Sequence, residues 1–147
     1  MYKERIIDQV LNDVTSVFNA VNIVGPKGCG KTTTAKQRAK TIIEFQNEEE
    51  RENLLMIAST SPIQFLKDPK PILFDEWQDA PKIWGTIRKD CDDHPEDVGS
   101  YYLTGSSSAK VDTPHTGTLR IATIRMNPMS LYELWRSNGE VSLRDLF

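Results

Sequence analysis

One eight-residue stretch constrains this chain more than any other: Gly25-Pro26-Lys27-Gly28-Cys29-Gly30-Lys31-Thr32, continued by Thr33. It has the spacing Gly-x-x-x-x-Gly-Lys-Ser/Thr, and in a chain of 147 residues those four fixed positions arise by chance on the order of a few times in a thousand. The pattern carries structural meaning only where a strand enters it and a helix leaves it. Both flanks are present. Ala20-Val-Asn-Ile-Val24 is a short apolar run broken by Gly25-Pro26, as a buried strand passing into a loop would be. From Gly30 onward the sequence has helix-forming content after its first turn.

The physical reason for such a loop is anion binding. A tight glycine-rich turn followed by a helix N-terminus presents several backbone N–H groups and the positive end of the helix dipole to a phosphate chain. Glycines let the backbone approach closely, Lys31 would reach the β and γ phosphates, and the Thr32 hydroxyl would ligate Mg²⁺. The competing reading is a glycine-rich turn that merely starts a helix.

The rest of the chain fits an alternation of helices and strands. Ile6, Ile7, Val10, Leu11, Val14, Val17 and Phe18 recur at three and four, which predicts an amphipathic helix over 3–18. The helix after Gly30 is expected to run through Phe45 and fade into the charged stretch from Glu48 to Glu52, with Leu54-Leu-Met-Ile-Ala58 as the second strand. Pro62 to Leu66 reads as a short helical turn stopped by Asp68-Pro-Lys-Pro71, and Ile72-Leu-Phe74 as a buried strand. Pro81 suits the first turn of a helix ending near Cys91. Tyr101-Tyr-Leu103 and Leu119 to Met126 complete the strands, 105–118 is the longest loop, and Ser130-Leu-Tyr-Glu133 has the form of a capping box opening a last helix. Strands joined by helices imply parallel pairing and a sheet covered on both faces. The expected fold is α/β, a three-layer αβα sandwich with a mostly parallel sheet of about five strands, in one domain over 1–147.

Composition excludes several function classes. The formal charge of −3 and the scattered Lys and Arg residues give no basic stripe for a nucleic-acid backbone. No apolar run approaches the roughly 18 residues that would span a bilayer, and the first residues lack a signal-peptide core, so a cytoplasmic setting is expected. Cys29 and Cys91 are too far apart for a metal knuckle and read as free thiols. Cys29, near a helix N-terminus and Lys31, invites redox control as one reading and a tolerated small residue as the other. Trp77, Trp84 and Trp135 read as core or interface aromatics.

Two further strand ends carry chemistry. Ile72-Leu-Phe ends in Asp75-Glu76, 43 residues beyond Thr32. Asp75 would hold Mg²⁺ beside Thr32, and Glu76 would orient and deprotonate the water that attacks the γ-phosphate. Tyr101-Tyr-Leu-Thr104-Gly-Ser106 ends in hydroxyls, and if its strand lies beside the loop strand, Thr104 or Ser106 can meet the γ-phosphate or that water.

With the loop at 25–32, Leu73-Phe-Asp-Glu-Trp-Gln-Asp-Ala-Pro81, Tyr102-Leu-Thr-Gly-Ser-Ser107, His115-Thr-Gly-Thr-Leu-Arg120 and Arg125-Met-Asn-Pro-Met-Ser-Leu-Tyr-Glu133, the chain resembles the AAA+ ATPases. Within them it is similar to a group of prokaryotic ATPases with a C-terminal domain of unknown function. The resemblance implies that Lys31, Thr32, Asp75 and Glu76 are the Walker A and Walker B residues, that Thr104 lies at the first sensor, and that ATP with Mg²⁺ is bound and hydrolysed. It implies that Arg120 is an arginine finger toward a neighbouring subunit of a homo-oligomer; a surface arginine is the alternative there and at Arg125. His115 has too little context for a catalytic role. Only 21 residues follow Met126, enough for one helix but not for a helical lid, so the lid and C-terminal domain are expected to be missing. A nucleotide-binding or interaction module without useful turnover is therefore the alternative function.

Overall fold

The computed structural model describes residues 1–106 and 120–135. His115 and most of the 105–118 loop lie outside the described residues; the expected last helix is not formed at 131–135, which are turn, and the rest of it lies outside the described residues as well.

Nine regular elements occur among them: α1 (Ile6–Thr15), β1 (Ala20–Gly25), α2 (Lys31–Lys36), β2 (Thr41–Glu44), α3 (Arg51–Thr60), β3 (Ile72–Asp75), α4 (Lys82–Asp93), β4 (Tyr101–Ser106) and β5 (Ile121–Arg125). Short 3₁₀ turns cover Pro62–Lys67 and Trp77–Asp79. The five strands form one sheet in the order β2-β3-β4-β1-β5, and every pairing is parallel. The expected α/β sandwich with about five strands is what the chain forms.

Two elements differ from the sequence reading. The segment at 54–58 is helical, inside α3, and the second strand is instead Thr41–Glu44. A five-residue apolar run does not distinguish strand from helix by period alone. Here Ala58 is buried, Leu54, Leu55 and Ile57 pack against the core from one side, and Met56 is exposed, a helical and not an alternating pattern. The helix after the loop at 25–32 is only six residues long because Thr41-Ile-Ile43, a β-branched run, pairs with Ile72-Leu-Phe74.

Each strand sends alternate side chains to opposite faces, and the two cores follow that rule. On one face Ile72, Phe74, Tyr101 and Leu103 join Phe45, Phe65, Trp77, Trp84, Ile83 and Ile87 beneath α3 and α4. On the other, Leu73, Tyr102, Val21 and Ile23 meet Leu11 of α1 and Ala35 of α2. Phe74 stacks on Phe45 at 6.4 Å, and Trp77 lies 5.0 Å from Trp84. Trp135, by contrast, is exposed. The loop ends of all five strands therefore lie along one edge, with Gly25, Asp75, Ser106 and Arg125 at or near it.

Candidate functional site

The loop at 25–32 leaves β1 at that edge and enters α2. Gly30 takes φ +100° at the helix N-cap and Gly28 φ +80°, backbone states that side-chain-bearing residues rarely adopt. Gly25 is required for a different reason: a Cβ there would lie 2.3 Å from the Met126 carbonyl oxygen. Met126, buried, also donates its N–H to the Val24 carbonyl at 2.7 Å, so the chain after β5 presses directly on the loop.

Lys31 is buried, and its Nζ donates to the carbonyls of Gly25 at 3.0 Å and Pro26 at 2.9 Å. Lys27, Gly28 and Thr33 are exposed. Cys29 is buried, with Sγ 3.7 Å from the Met126 carbonyl and 4.0 Å from Lys31 Nζ. Both cysteines are free; burial pushes the Cys91 thiol up to about 12, helped by Asp90 and Asp92.

Asp75 gathers the site. β3 is not the immediate neighbour of β1, because β4 lies between them. The carboxylate crosses that gap through two hydroxyls: Thr32 Oγ1 donates to Asp75 Oδ1 at 2.5 Å, and Thr104 Oγ1 donates to the same oxygen at 2.6 Å. Hydrogen bonds to an ionised acceptor are short and roughly twice as strong as neutral ones. Thr104 is fully buried, and its oxygen also accepts the Glu76 backbone N–H at 3.1 Å. One threonine thus fixes both acids. Ser106 pairs in register with Gly25, beside the first residue of the loop.

Glu76 sits at φ 56°, ψ 52°, a left-handed conformation that costs a non-glycine residue about 1 kcal/mol or more. Its carboxylate accepts a hydrogen bond from the Gln78 side-chain amide. Trp77 Nε1 donates at 3.2 Å to Asn22 Oδ1 on β1, which anchors the turn that carries Glu76. Gly105 leaves room for this turn, since a Cβ there would lie 3.2 Å from Gln78 Oε1 and 3.3 Å from Trp77 Nε1.

Arg120 lies at the other end of the sheet. It precedes Ile121, whose register partner is Ala20, the first residue of β1, while the loop begins at its last. Five strand residues separate those levels by about 17 Å. Arg120 Nε is 4.0 Å from Asp92 Oδ1. It is not brought together with Lys31, Thr32, Asp75 and Glu76 of its own chain. Arg125, exposed, is at the loop end of β5.

Sequence reasoning missed Arg5. This buried arginine donates from Nε to Glu133 Oε1 at 2.9 Å, from Nη1 to the Cys29 carbonyl at 3.0 Å and from Nη2 to the Asn127 carbonyl at 3.0 Å. The predicted Ser130–Glu133 box is present: Ser130 N–H donates to Glu133 Oε2 at 2.7 Å and Glu133 N–H to Ser130 Oγ at 3.2 Å. Burial acts to raise the Glu133 pKa, but the hydrogen bonds from Ser130, Arg5 and the Ile6 N–H outweigh it and hold the carboxyl down at about 2. Between α1 and the segment after β5, beside these groups, is a cleft of about 380 Å³ lined by Ile6, Val10, Ile124, Met126, Pro128 and Arg125 among others. Nothing local in the sequence pairs residues 128 positions apart.

A glycine-rich loop between a parallel strand and a helix, with a strand-end aspartate on its threonine, defines the P-loop nucleotide-binding class of α/β proteins. The chain belongs to the AAA domain family, whose model matches residues 17–135. It is a nucleotide-binding AAA+ core. Its fold is similar to that in the structure of C. elegans PCH-2, with a TM-score of 0.50 and 14% identity, over 98% of this chain and 52% of that one. The chain thus spans about half the length of that relative, and at that identity the likeness concerns fold alone. No curated protein matches the sequence. Among the described residues no helix is long and apolar enough to cross a membrane.

Proposed function

We propose that this core binds Mg-ATP on the loop at 25–32 and hydrolyses it, with Glu76 as the general base. The observation that carries the reading is the single Asp75 oxygen that receives the hydroxyls of both Thr32 and Thr104. That arrangement ties the loop, the Asp-Glu strand end and the next strand into one unit at one edge of the sheet.

The donor set fits Mg²⁺. A threonine hydroxyl that donates its proton to a carboxylate keeps its lone pairs for a hard cation. Among the described residues no group of three or more His, Cys, Asp and Glu side chains is placed to hold a metal ion. Thr32 and Asp75 would therefore hold the ion with water and phosphate oxygens completing its shell, as Mg²⁺ prefers. Bound there, the ion would neutralise charge on the phosphates. Lys31 would exchange its loop carbonyls for the β and γ phosphates, and the N–H groups from Gly28 to Thr33 would cradle them. Thr104 holds the Glu76 backbone, so that Glu76 can take a proton from water. The 380 Å³ cleft beside Arg5 is the place we assign to the adenine ring.

Arg120 can serve a γ-phosphate only toward a neighbouring subunit, which makes a homo-oligomer part of the proposal. A cytoplasmic setting and a single core domain over 1–147 complete the reading.

A second reading is nucleotide binding without useful turnover. It is favoured by the hydrogen bond that occupies the Glu76 carboxylate and by the carbonyls that hold Lys31 Nζ. Calorimetric titration with Mg-ATP and phosphate release on the same sample separate the two. Glu76→Gln is expected to bind ATP as the parent does and to lose turnover by at least about a hundredfold. Equal turnover in Glu76→Gln would mean the base is elsewhere; no turnover in the parent would leave the binding module.

A further inference from the structure

The N-terminal segment touches the loop at 25–32 through the Arg5 side chain. Arg5 precedes α1, and its guanidinium fork reaches three separate parts of the chain: the loop at Cys29, the segment after β5 at Asn127, and the carboxylate of Glu133. Glu133 in turn accepts the N–H groups of Ile6 and Ser130, so the two charges and both segments form a closed set of hydrogen bonds. Asp8 secures the same turn by accepting the Arg5 backbone N–H at 2.7 Å and the Tyr2 hydroxyl at 2.6 Å. Arg38, just beyond α2, donates to the Asp8 carbonyl at 2.8 Å.

The contact with Cys29 has a consequence for the loop. In a trans peptide the carbonyl and the following N–H point in opposite directions. A guanidinium that holds the Cys29 carbonyl therefore turns the Gly30 N–H away from itself and fixes that peptide plane. A Cβ at Gly30, already strained at φ +100°, would also crowd Arg5 Nη1 at 3.0 Å.

We propose that Arg5, locked by Glu133, is a positioning residue for nucleotide binding: it sets the Cys29–Gly30 peptide of the phosphate loop and makes phosphate affinity depend on the docking of the 127–133 segment. This rests on the loop being the nucleotide site. Lysine cannot replace it, since a point charge with no planar fork does not span three acceptors. The Arg5–Glu133 pair is nearly neutral as a unit, so its effect is orientation of a peptide and not added charge.

The test titrates the parent, Arg5→Lys, Glu133→Gln and the double variant with Mg-ATP and separately with magnesium pyrophosphate, well below each melting temperature. Ile87→Val, on the opposite core face, is the control for lost stability alone. Each single variant is expected to bind both ligands about tenfold more weakly, and the double variant no more weakly than the worse single one, because the pair acts as one device. Ile87→Val should bind as the parent does. Should Arg5→Lys fail to fold, Glu133→Gln carries the test by itself. The proposal is overturned if the single variants bind within twofold of the parent, or if ATP weakens while pyrophosphate does not, which would place the effect at the base. A parent chain that binds neither ligand overturns the nucleotide reading and this inference together.

Discussion

Replacing Thr104 by valine removes one hydroxyl and almost no volume. That oxygen is fully buried, donates to Asp75 at 2.6 Å and accepts the Glu76 N–H at 3.1 Å. Loss of a hydrogen bond to a charged acceptor costs about 2 kcal/mol, and an N–H left with no acceptor adds about 1 kcal/mol. Valine has nearly the shape of threonine, so the cavity term of a large-to-small substitution does not enter. A chain of 147 residues has an unfolding entropy of about 0.3 kcal/mol/K. A loss of about 3 kcal/mol then lowers Tm by about 10 °C. The assay is thermal unfolding followed by near-ultraviolet circular dichroism, which reports the packed Trp77–Trp84 pair. The same substitution releases Glu76 from the bond that supports its left-handed backbone, so turnover should fall more than ATP affinity. A variant that melts within 2 °C of the parent and turns over ATP normally would refute the claim that Thr104 fixes both acids.

Gly25→Ala should destabilise the chain by about 1–3 kcal/mol and weaken nucleotide binding, because its Cβ meets the Met126 carbonyl at 2.3 Å; chemical denaturation measures the first effect and calorimetry the second. Lys31→Ala should abolish ATP binding at millimolar nucleotide while the fold, read by circular dichroism, persists; retained binding would remove Lys31 from the phosphate site. The Glu133 carboxyl lies at about 2 in the folded chain against an ordinary 4.5, so its contribution to stability is full above about 4.5 and is lost as the pH falls toward 2. Acid unfolding monitored by circular dichroism should therefore lose part of its pH dependence across that window in Glu133→Gln, and an unchanged acid profile would contradict the low carboxyl pKa.

The sequence by itself determined the layer architecture and the strand–loop–helix at 25–32. Val21 and Ile23 facing one core, Ile72 and Phe74 the other, follow from apolar strands that must be buried on both faces. That loop was legible because the left-handed backbone at Gly28 and Gly30 and the close approach at Gly25 depend on residue type at a fixed spacing, a local property. The Ser130–Glu133 box was legible for the same reason. Tertiary pairing decided the rest. Thr41–Glu44 became the second strand because Ile72–Asp75 lay beside it, and the run at 54–58 became helical because one side of it meets a core. The β-branched run Thr41-Ile-Ile43 is the one local hint of the first outcome, and the apolar run at 54–58 carries none of the second. The order β2-β3-β4-β1-β5 put Thr104 between the loop and Asp75, and it put Arg120 at the far edge of the sheet. Arg5 reaches Glu133 across 128 positions: a buried charge needs a partner, but only the folded chain determines which one.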